Sequence, residues 1–194
     1  MKRLVPLLIL VAIGGGGYYF YRSQTAPRVN VVPFSKLSKP EQEKRRAEAQ
    51  DVVRQVEGIA RASKQGEKKP FEVTLSQEEL NTLLQDRLKA KNLPIENPRV
   101  GLQNGQLVVE ADANYKGVSA PVSIVGSVTA QNGDVAFTVD SLTLSVFSAP
   151  SDWKEKVQKA VDDGLKKALR DKGSAQIESV KIGDGTMTIT GRTG

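Results

Sequence analysis

The chain has 194 residues and a net charge of +6, a length that fits one globular domain with appendages. It has no cysteine and no histidine, which excludes disulfides, thiol nucleophiles, imidazole catalysis and the usual zinc ligand sets. Residues 1–70 carry 14 Lys/Arg against 6 Asp/Glu, whereas residues 71–194 carry 14 against 16. Because a nucleic-acid-binding domain needs a basic patch of its own, this distribution argues against a nucleic-acid partner.

Residues 1–22 predict a transmembrane signal anchor. Two basic residues precede an uncharged, mostly apolar run from Leu4 to Tyr21, about the shortest length that crosses a bilayer. Gln24 and Ala26 make a poor signal-peptidase site, which favours an uncleaved anchor over a cleaved signal peptide. A short tail before a long C-terminal domain predicts a single-pass protein of the cell membrane with its domain outside the cytoplasm.

Residues 23–37 contain two prolines and little periodicity, which predicts an extended tether. Ser38 and Glu41 then have the spacing of a capping box, so residues 38–66 predict a charged stalk helix that ends before Gly66. Val52, Val56 and Ile59 lie on one side of its second half. The helix either packs this half on the domain or serves as a spacer that holds the domain off the bilayer.

Residues 67–194 predict an α+β domain. Phe71–Leu75 alternates as a strand, and Ser76–Glu79 forms a second capping box before a helix with a leucine face. A short strand at Pro98–Gln103 leads through Asn104-Gly105 into a meander whose strands turn at Asn132-Gly133. The three meander strands are predicted at Gln106–Lys116, Val118–Gln131 and Asp134–Ser148.

The third meander strand changes its apolar parity. Phe137 and Val139 are at odd positions, whereas Leu142 and Leu144 are at even positions. This shift predicts a β-bulge near Asp140-Ser141, which would bend the strand. Long bent strands predict a curved antiparallel sheet with a concave side to be filled.

Trp153–Lys172 predicts a second amphipathic helix of the domain, and Ala175–Gly183 with Thr186–Arg192 predicts a final hairpin around Asp184-Gly185. The predicted fold class is therefore α+β. After a transmembrane helix and a stalk helix, a curved antiparallel β-meander packs on, or wraps around, two amphipathic helices.

Catalytic signatures are missing from the sequence. Asp162 and Asp163 are adjacent on a helix and point in different directions, and the chain has no phosphate-binding glycine loop or calcium loop. We therefore expect a protein that is not an enzyme and that uses no metal or cofactor.

The order of elements and several turns resemble known envelope proteins. Val73–Leu84, Ala120–Gly126 and Ile177–Gly191 carry the resemblance to the LmeA-like and YpmS-like bacterial families, over about residues 71–192. These families are similar to the tubular lipid-binding fold, in which a sheet wraps around a helix and encloses acyl chains. The resemblance implies a membrane-anchored domain outside the cytoplasm that shields the acyl chain of a phospholipid or glycolipid, in envelope lipid trafficking or maintenance.

The side chains expected to line such a ligand are apolar and come from the two helices and the meander. They are Leu80, Leu84, Leu88, Val122, Ile124, Val128, Phe137, Val139, Leu142, Leu144, Trp153, Val157, Val161 and Leu165. The same side chains could form a closed, dry core. The alternative function is then an anchored scaffold that binds a protein partner in a cell-envelope complex through an exposed apolar patch.

Overall fold

The computed structural model describes residues 29–91, 95–115, 118–144, 147–148, 154–159, 161–163 and 175–194. The predicted anchor at residues 1–22 lies outside these ranges, as do Trp153 and the last turns of the helix predicted to end at Lys172. Within the described ranges, no helix combines the length and the apolar character that a membrane span requires.

The domain has the predicted α+β arrangement, in which helices pack against antiparallel strands. After a short 3-10 turn, Phe34–Lys36, the helices are α1 (Lys39–Lys64), α2 (Gln77–Lys91) and α3, which is described at residues 154–159 and 161–163. The strands are β1 (Pro70–Ser76), β2 (Ile95–Gln103), β3 (Gln106–Tyr115), β4 (Val118–Gln131), β5 (Asp134–Leu144), β6 (Phe147–Ser148), β7 (Gln176–Ile182) and β8 (Thr186–Arg192).

The strands form two antiparallel sheets, where the sequence had predicted one. The meander sheet has the strand order β2-β3-β4-β5-β6, and the terminal sheet has the order β1-β8-β7. Among the described residues, two backbone hydrogen bonds connect them, from Ile177 N–H to the Gly133 carbonyl (2.9 Å) and from Gly185 N–H to the Leu102 carbonyl (2.8 Å). The pairing of β1 with β8 brings the two ends of the domain together.

The two predicted Asn-Gly turns of the meander are confirmed. Asn104 and Gly105 have φ angles of 52° and 74°, and Asn132 and Gly133 have φ angles of 53° and 77°. Positive φ at both central residues is the geometry of the two-residue hairpin turn that matches the twist of the flanking strands. Each turn therefore fixes the register of the strands that it connects.

The predicted bulge is also confirmed. Val125 pairs with Ser141 and Gly126 pairs with Val139, so Asp140 is the extra residue of β5. The Asp140 carboxylate accepts hydrogen bonds from Ser127 Oγ at 2.7 Å and from Gln106 Nε2 of β3 at 3.0 Å. The bulge lets both halves of β5 present apolar side chains to the same face of the sheet.

The prediction that this strand continues to Ser148 is wrong. β5 ends at Leu144, and β6 folds back on it with Phe147 opposite Leu144 and Ser148 opposite Thr143. Leu142, Leu144 and Val146 alternate up to the reversal, and alternation alone does not show where one strand ends and the next begins.

Both capping boxes are present. The Glu79 carboxylate accepts hydrogen bonds from Ser76 N–H (2.6 Å) and Ser76 Oγ (2.9 Å) at the start of α2. The Glu41 carboxylate accepts the equivalent bonds from Ser38 Oγ (2.7 Å) and Ser38 N–H (3.2 Å) at the start of α1. These two bonds lower the pKa of Glu41 below its ordinary value of 4.5, and the bond from the Ser38 hydroxyl has the larger effect.

The segment before α1 is packed on the domain. Val29 is buried against Gly101 of β2, and Phe34 is buried beneath the guanidinium of Arg46, which lies 5.2 Å from the centre of the ring. Val32, between them, is 55% exposed. The segment predicted as an extended tether is thus in contact with the domain from Val29 onwards.

Helix α1 packs its second half on the domain, which agrees with the first of the two interpretations drawn from the sequence. Val52 is buried in the main core, and Val56 and Ile59 pack against it. At the first turns most side chains are exposed, as expected for a charged helix end that is solvated on all sides.

Candidate functional site

One continuous apolar cluster, here called the core cluster, joins the two sheets and the three helices. Its buried members come from α1, β1, α2, β2, β3, β4, β5, α3 and β8. It contains nine of the fourteen side chains predicted to line an acyl chain: Leu80, Leu84, Ile124, Val128, Phe137, Val139, Leu142, Val157 and Val161. A tenth, Val122, is partly buried against it.

The remaining four predicted lining residues lie outside what the structure describes. Trp153 and Leu165 belong to undescribed stretches, and the side chains of Leu88 and Leu144 are likewise not described. The described members come from the helices and the meander and share one apolar region. Whether a lipid occupies it stays a prediction.

Strand register brings the meander side chains together. Val128 lies opposite Phe137, and Ile124 lies opposite Leu142. Gly126 makes room for the Phe137 ring, because a Cβ at that position would overlap both the ring and the Thr138 carbonyl oxygen. The glycine in this apolar row therefore lets the Phe137 ring lie across the sheet.

Helix α2 closes the β2 edge of the meander sheet through a buried amide. Asn81 is 4% exposed, and its side chain accepts a hydrogen bond from Val100 N–H (2.7 Å) and donates one to the Val100 carbonyl (2.8 Å). Gln77 Oε1 accepts from Leu102 N–H at 2.9 Å. Side chains of α2 therefore supply hydrogen-bond partners for backbone groups of the edge strand β2, in the place where another strand would otherwise pair.

Helix α3 closes the opposite edge by the same means. Gln158 Oε1 accepts from Val139 N–H (2.7 Å), and Gln158 Nε2 donates to the Phe137 carbonyl (2.8 Å). This amide lies between Val157 and Val161, which are buried in the core cluster. At both edges of the sheet, a side-chain amide from a helix thus bonds the outward backbone groups of the strand. The two helices that carry these amides also contribute to the core cluster.

The two amides, Asn81 and Gln158, were not among the predicted site residues. A usable signal existed for Asn81, because it lies only about 60° from Leu84 around the helix axis. A polar side chain so close to an apolar face indicates a buried hydrogen-bond partner. Gln158, beside the stripe of Val157 and Val161, carries the same signal.

The outer face of the meander sheet carries a second, smaller apolar cluster. Val108 and Val125 are buried there beneath Val29, with Val31 packed against them. Beside it, Glu110 is paired with Arg99 at 3.2 Å. Because this chain's own segment covers the face, the outer cluster offers less to a ligand than the core cluster.

A groove of about 430 Å³ lies at the end of the terminal sheet, lined by Lys68, Lys69, Pro70, Glu178, Arg192, Thr193 and Gly194. Its volume falls within the range of small-molecule sites. Two of its cations, however, are already paired, Lys69 with Glu67 at 2.7 Å and Arg192 with Glu178 at 2.5 Å. The groove is therefore a poorer candidate for an apolar ligand than the core cluster.

The described residues contain no group of three or more side chains suited to hold a metal ion. The core cluster consists of aliphatic and aromatic side chains, with the polar Asn81 at its margin. Such a surface can take apolar molecules out of water, and the chemistry that it offers is burial.

Comparison with known proteins places most of the chain in a described family. The model of a family described as LmeA-like phospholipid-binding matches residues 65–192, which is more than half of the chain and spans every strand and the helices α2 and α3. Neither a curated protein nor a solved structure matched the chain. On this match, the chain belongs to the LmeA-like phospholipid-binding family.

Proposed function

We propose that this protein binds a phospholipid and shields one of its acyl chains in the core cluster. The observation that carries the proposal is the joining of nine predicted lining side chains in a single apolar cluster, in a chain whose family is named for phospholipid binding. The ligand's headgroup would remain outside this cluster, because the cluster provides no buried charge to pair with it.

The proposed mechanism is passive and uses no catalysis. Burial stabilises an acyl chain by about 0.8 kcal/mol per methylene group, so ten methylene groups supply roughly 8 kcal/mol before any opposing term. The main opposing term is the separation of side chains that already contact one another, since Ile124, Val139 and Val161 are each no more than 1% exposed. Lipid binding therefore requires a helix to move away from the sheets.

The proposed setting is the membrane surface outside the cytoplasm. The apolar run from Leu4 to Tyr21 supports an anchor, and the docked segment at Val29 supports a domain that stays close to it. In this setting the protein would take up and release phospholipid in the maintenance or trafficking of envelope lipids.

Photocrosslinking tests the binding proposal on the full chain. The protein is placed in nanodiscs that contain phosphatidylcholine with a diazirine at the end of one acyl chain, irradiated, digested and mapped by mass spectrometry. We expect labels at core-cluster positions such as Ile124, Phe137 and Val161. Val108 and Val125 serve as matched controls, because they are equally apolar and buried but lie on the outer face.

Labels confined to residues 1–28 would show that the anchor contacts lipid and the domain does not. That result would refute the lipid-binding proposal and favour a scaffold with a dry core. Labels on the outer-face valines at the same yield as on the core cluster would also count against it, because they would indicate contact without enclosure.

A further inference from the structure

In the described part of helix α3, two side chains make polar contacts with β5. The Gln158 amide bonds Val139 N–H and the Phe137 carbonyl, and Lys154 Nζ donates to the Asp140 carbonyl at 2.9 Å. Within the described residues, no strand pairs with this edge of β5 between Val135 and Leu142. The helix therefore occupies the position of a missing edge strand.

The opposite edge is closed more firmly. There the four outward backbone groups of Val100 and Leu102 are bonded by Asn81, Gln77 and the backbone of Gly185. Val100 is fully buried, and α1 packs against α2. Moving α2 would leave buried backbone groups without partners, which is unfavourable.

Opening at α3 has a smaller free-energy penalty. Phe137 and Val139 are buried as Val100 is, but their partner Gln158 is partly exposed and Lys154 is exposed, whereas Asn81 is 4% exposed. Water can therefore replace the bonds that Gln158 and Lys154 make once the helix moves. The movement would also separate Val157 and Val161 from the rest of the core cluster. An acyl chain that enters the same space would surround these two side chains with apolar groups again.

We infer that the acyl chain enters the core cluster between α3 and the β5 edge, with the Gln158 amide as the latch of this entrance. The inference rests on the proposed function and adds the route that the lipid takes. It also gives Gln158 a role distinct from its neighbours: Val157 and Val161 contact the apolar chain, whereas Gln158 controls how often the helix leaves the sheet.

A variant of Gln158, compared with a matched control, tests whether this amide limits the rate at which lipid enters the core cluster. Gln158→Met keeps the length of the side chain but removes both strong hydrogen bonds to β5. Gln55→Met is the control, because Gln55 Nε2 also bonds a strand carbonyl, that of Glu72 at 2.9 Å, at an exposed site away from α3. Full-length protein in nanodiscs of unlabelled phosphatidylcholine is mixed with vesicles that contain diazirine-tailed phosphatidylcholine, and core-cluster labelling is followed in time.

We expect Gln158→Met to take up the probe about tenfold faster than the wild type, the factor that corresponds to about 1.4 kcal/mol. The control should match the wild type. In the absence of probe, the Val139 amide hydrogen should exchange faster in Gln158→Met only, which confirms that the bond from Val139 N–H to Gln158 has been removed.

A covalent link tests the route independently of the latch variant. Because the chain has no cysteine, the double variant Asp140→Cys with Lys154→Cys can be joined selectively by a short, cleavable dithiol-reactive linker. We expect the linked protein to label at least about tenfold more slowly than the same protein after cleavage of the linker, the same factor of ten.

The outcomes separate the entrance from the function. Labelling that is as fast in the linked protein as after cleavage would overturn the entrance and leave lipid binding intact. Wild-type protein that is never labelled in the core cluster would refute the proposed function and the entrance with it. If Gln158→Met does not fold, the linked pair alone decides.

Discussion

Replacing Asn81 with leucine should lower the free energy of unfolding of the domain by much more than the small change in side-chain size suggests. The substitution removes both partners of Val100, whose N–H and carbonyl are fully buried. Each orphaned group costs about 1–3 kcal/mol, which gives about 4 kcal/mol for the two. The added apolar surface of leucine offsets about 1 kcal/mol, leaving a loss of about 3 kcal/mol.

Urea unfolding of residues 29–194, followed by circular dichroism, measures this loss. With a slope of about 2 kcal/mol per M, the midpoint should fall by about 1.5 M at unchanged slope. Gln55→Leu removes one exposed amide-to-strand bond and should change the free energy of unfolding by less than about 0.5 kcal/mol. A midpoint for Asn81→Leu within about 0.3 M of the wild type would refute the argument that the amide stabilises the sheet edge.

Three further outcomes are expected. Val29→Asp should release the docked segment and make residues 29–40 sensitive to trypsin, whereas Val32→Asp, at an exposed position of the same segment, should leave the digestion pattern unchanged. Gly126→Ala should destabilise the domain by at least about 1–3 kcal/mol in urea unfolding, because the new Cβ overlaps an aromatic ring and a backbone carbonyl. The lowered pKa of Glu41 means that its contribution to α1 is complete above its ordinary value of 4.5 and is lost as the pH falls through the lower folded value. Amide exchange in the first turn of α1 should therefore lose protection as the pH falls from about 6 to about 3, and Glu41→Gln should remove this dependence.

Local features of the fold could be predicted because each depends on a few neighbouring residues. The Asn-Gly turns need positive φ, the Ser-x-x-Glu boxes need one side chain three residues from another, and the bulge at Asp140 changes the parity of its own strand. The helix and strand positions of the core cluster follow from the same periodicities.

Pairings between distant residues could not be predicted in this way. β1 pairs with β8 across more than 100 residues, and alternation within a strand does not identify its partner, so the split into two sheets was missed. The reversal into β6 was missed for the same reason. Asn81 and Gln158 act on backbone groups of other strands, which a helical pattern cannot identify.

The docking of Val29 limits how far the domain can reach. If the apolar run ending at Tyr21 spans the membrane, the seven residues from Arg22 to Arg28 extend to at most about 25 Å. A free α1 of 26 residues would have added about 39 Å, but the helix lies on the domain. With such an anchor, the proposed lipid-binding domain would exchange lipid with the membrane that holds it or with a carrier that comes to it, and it would not carry lipid between membranes by itself.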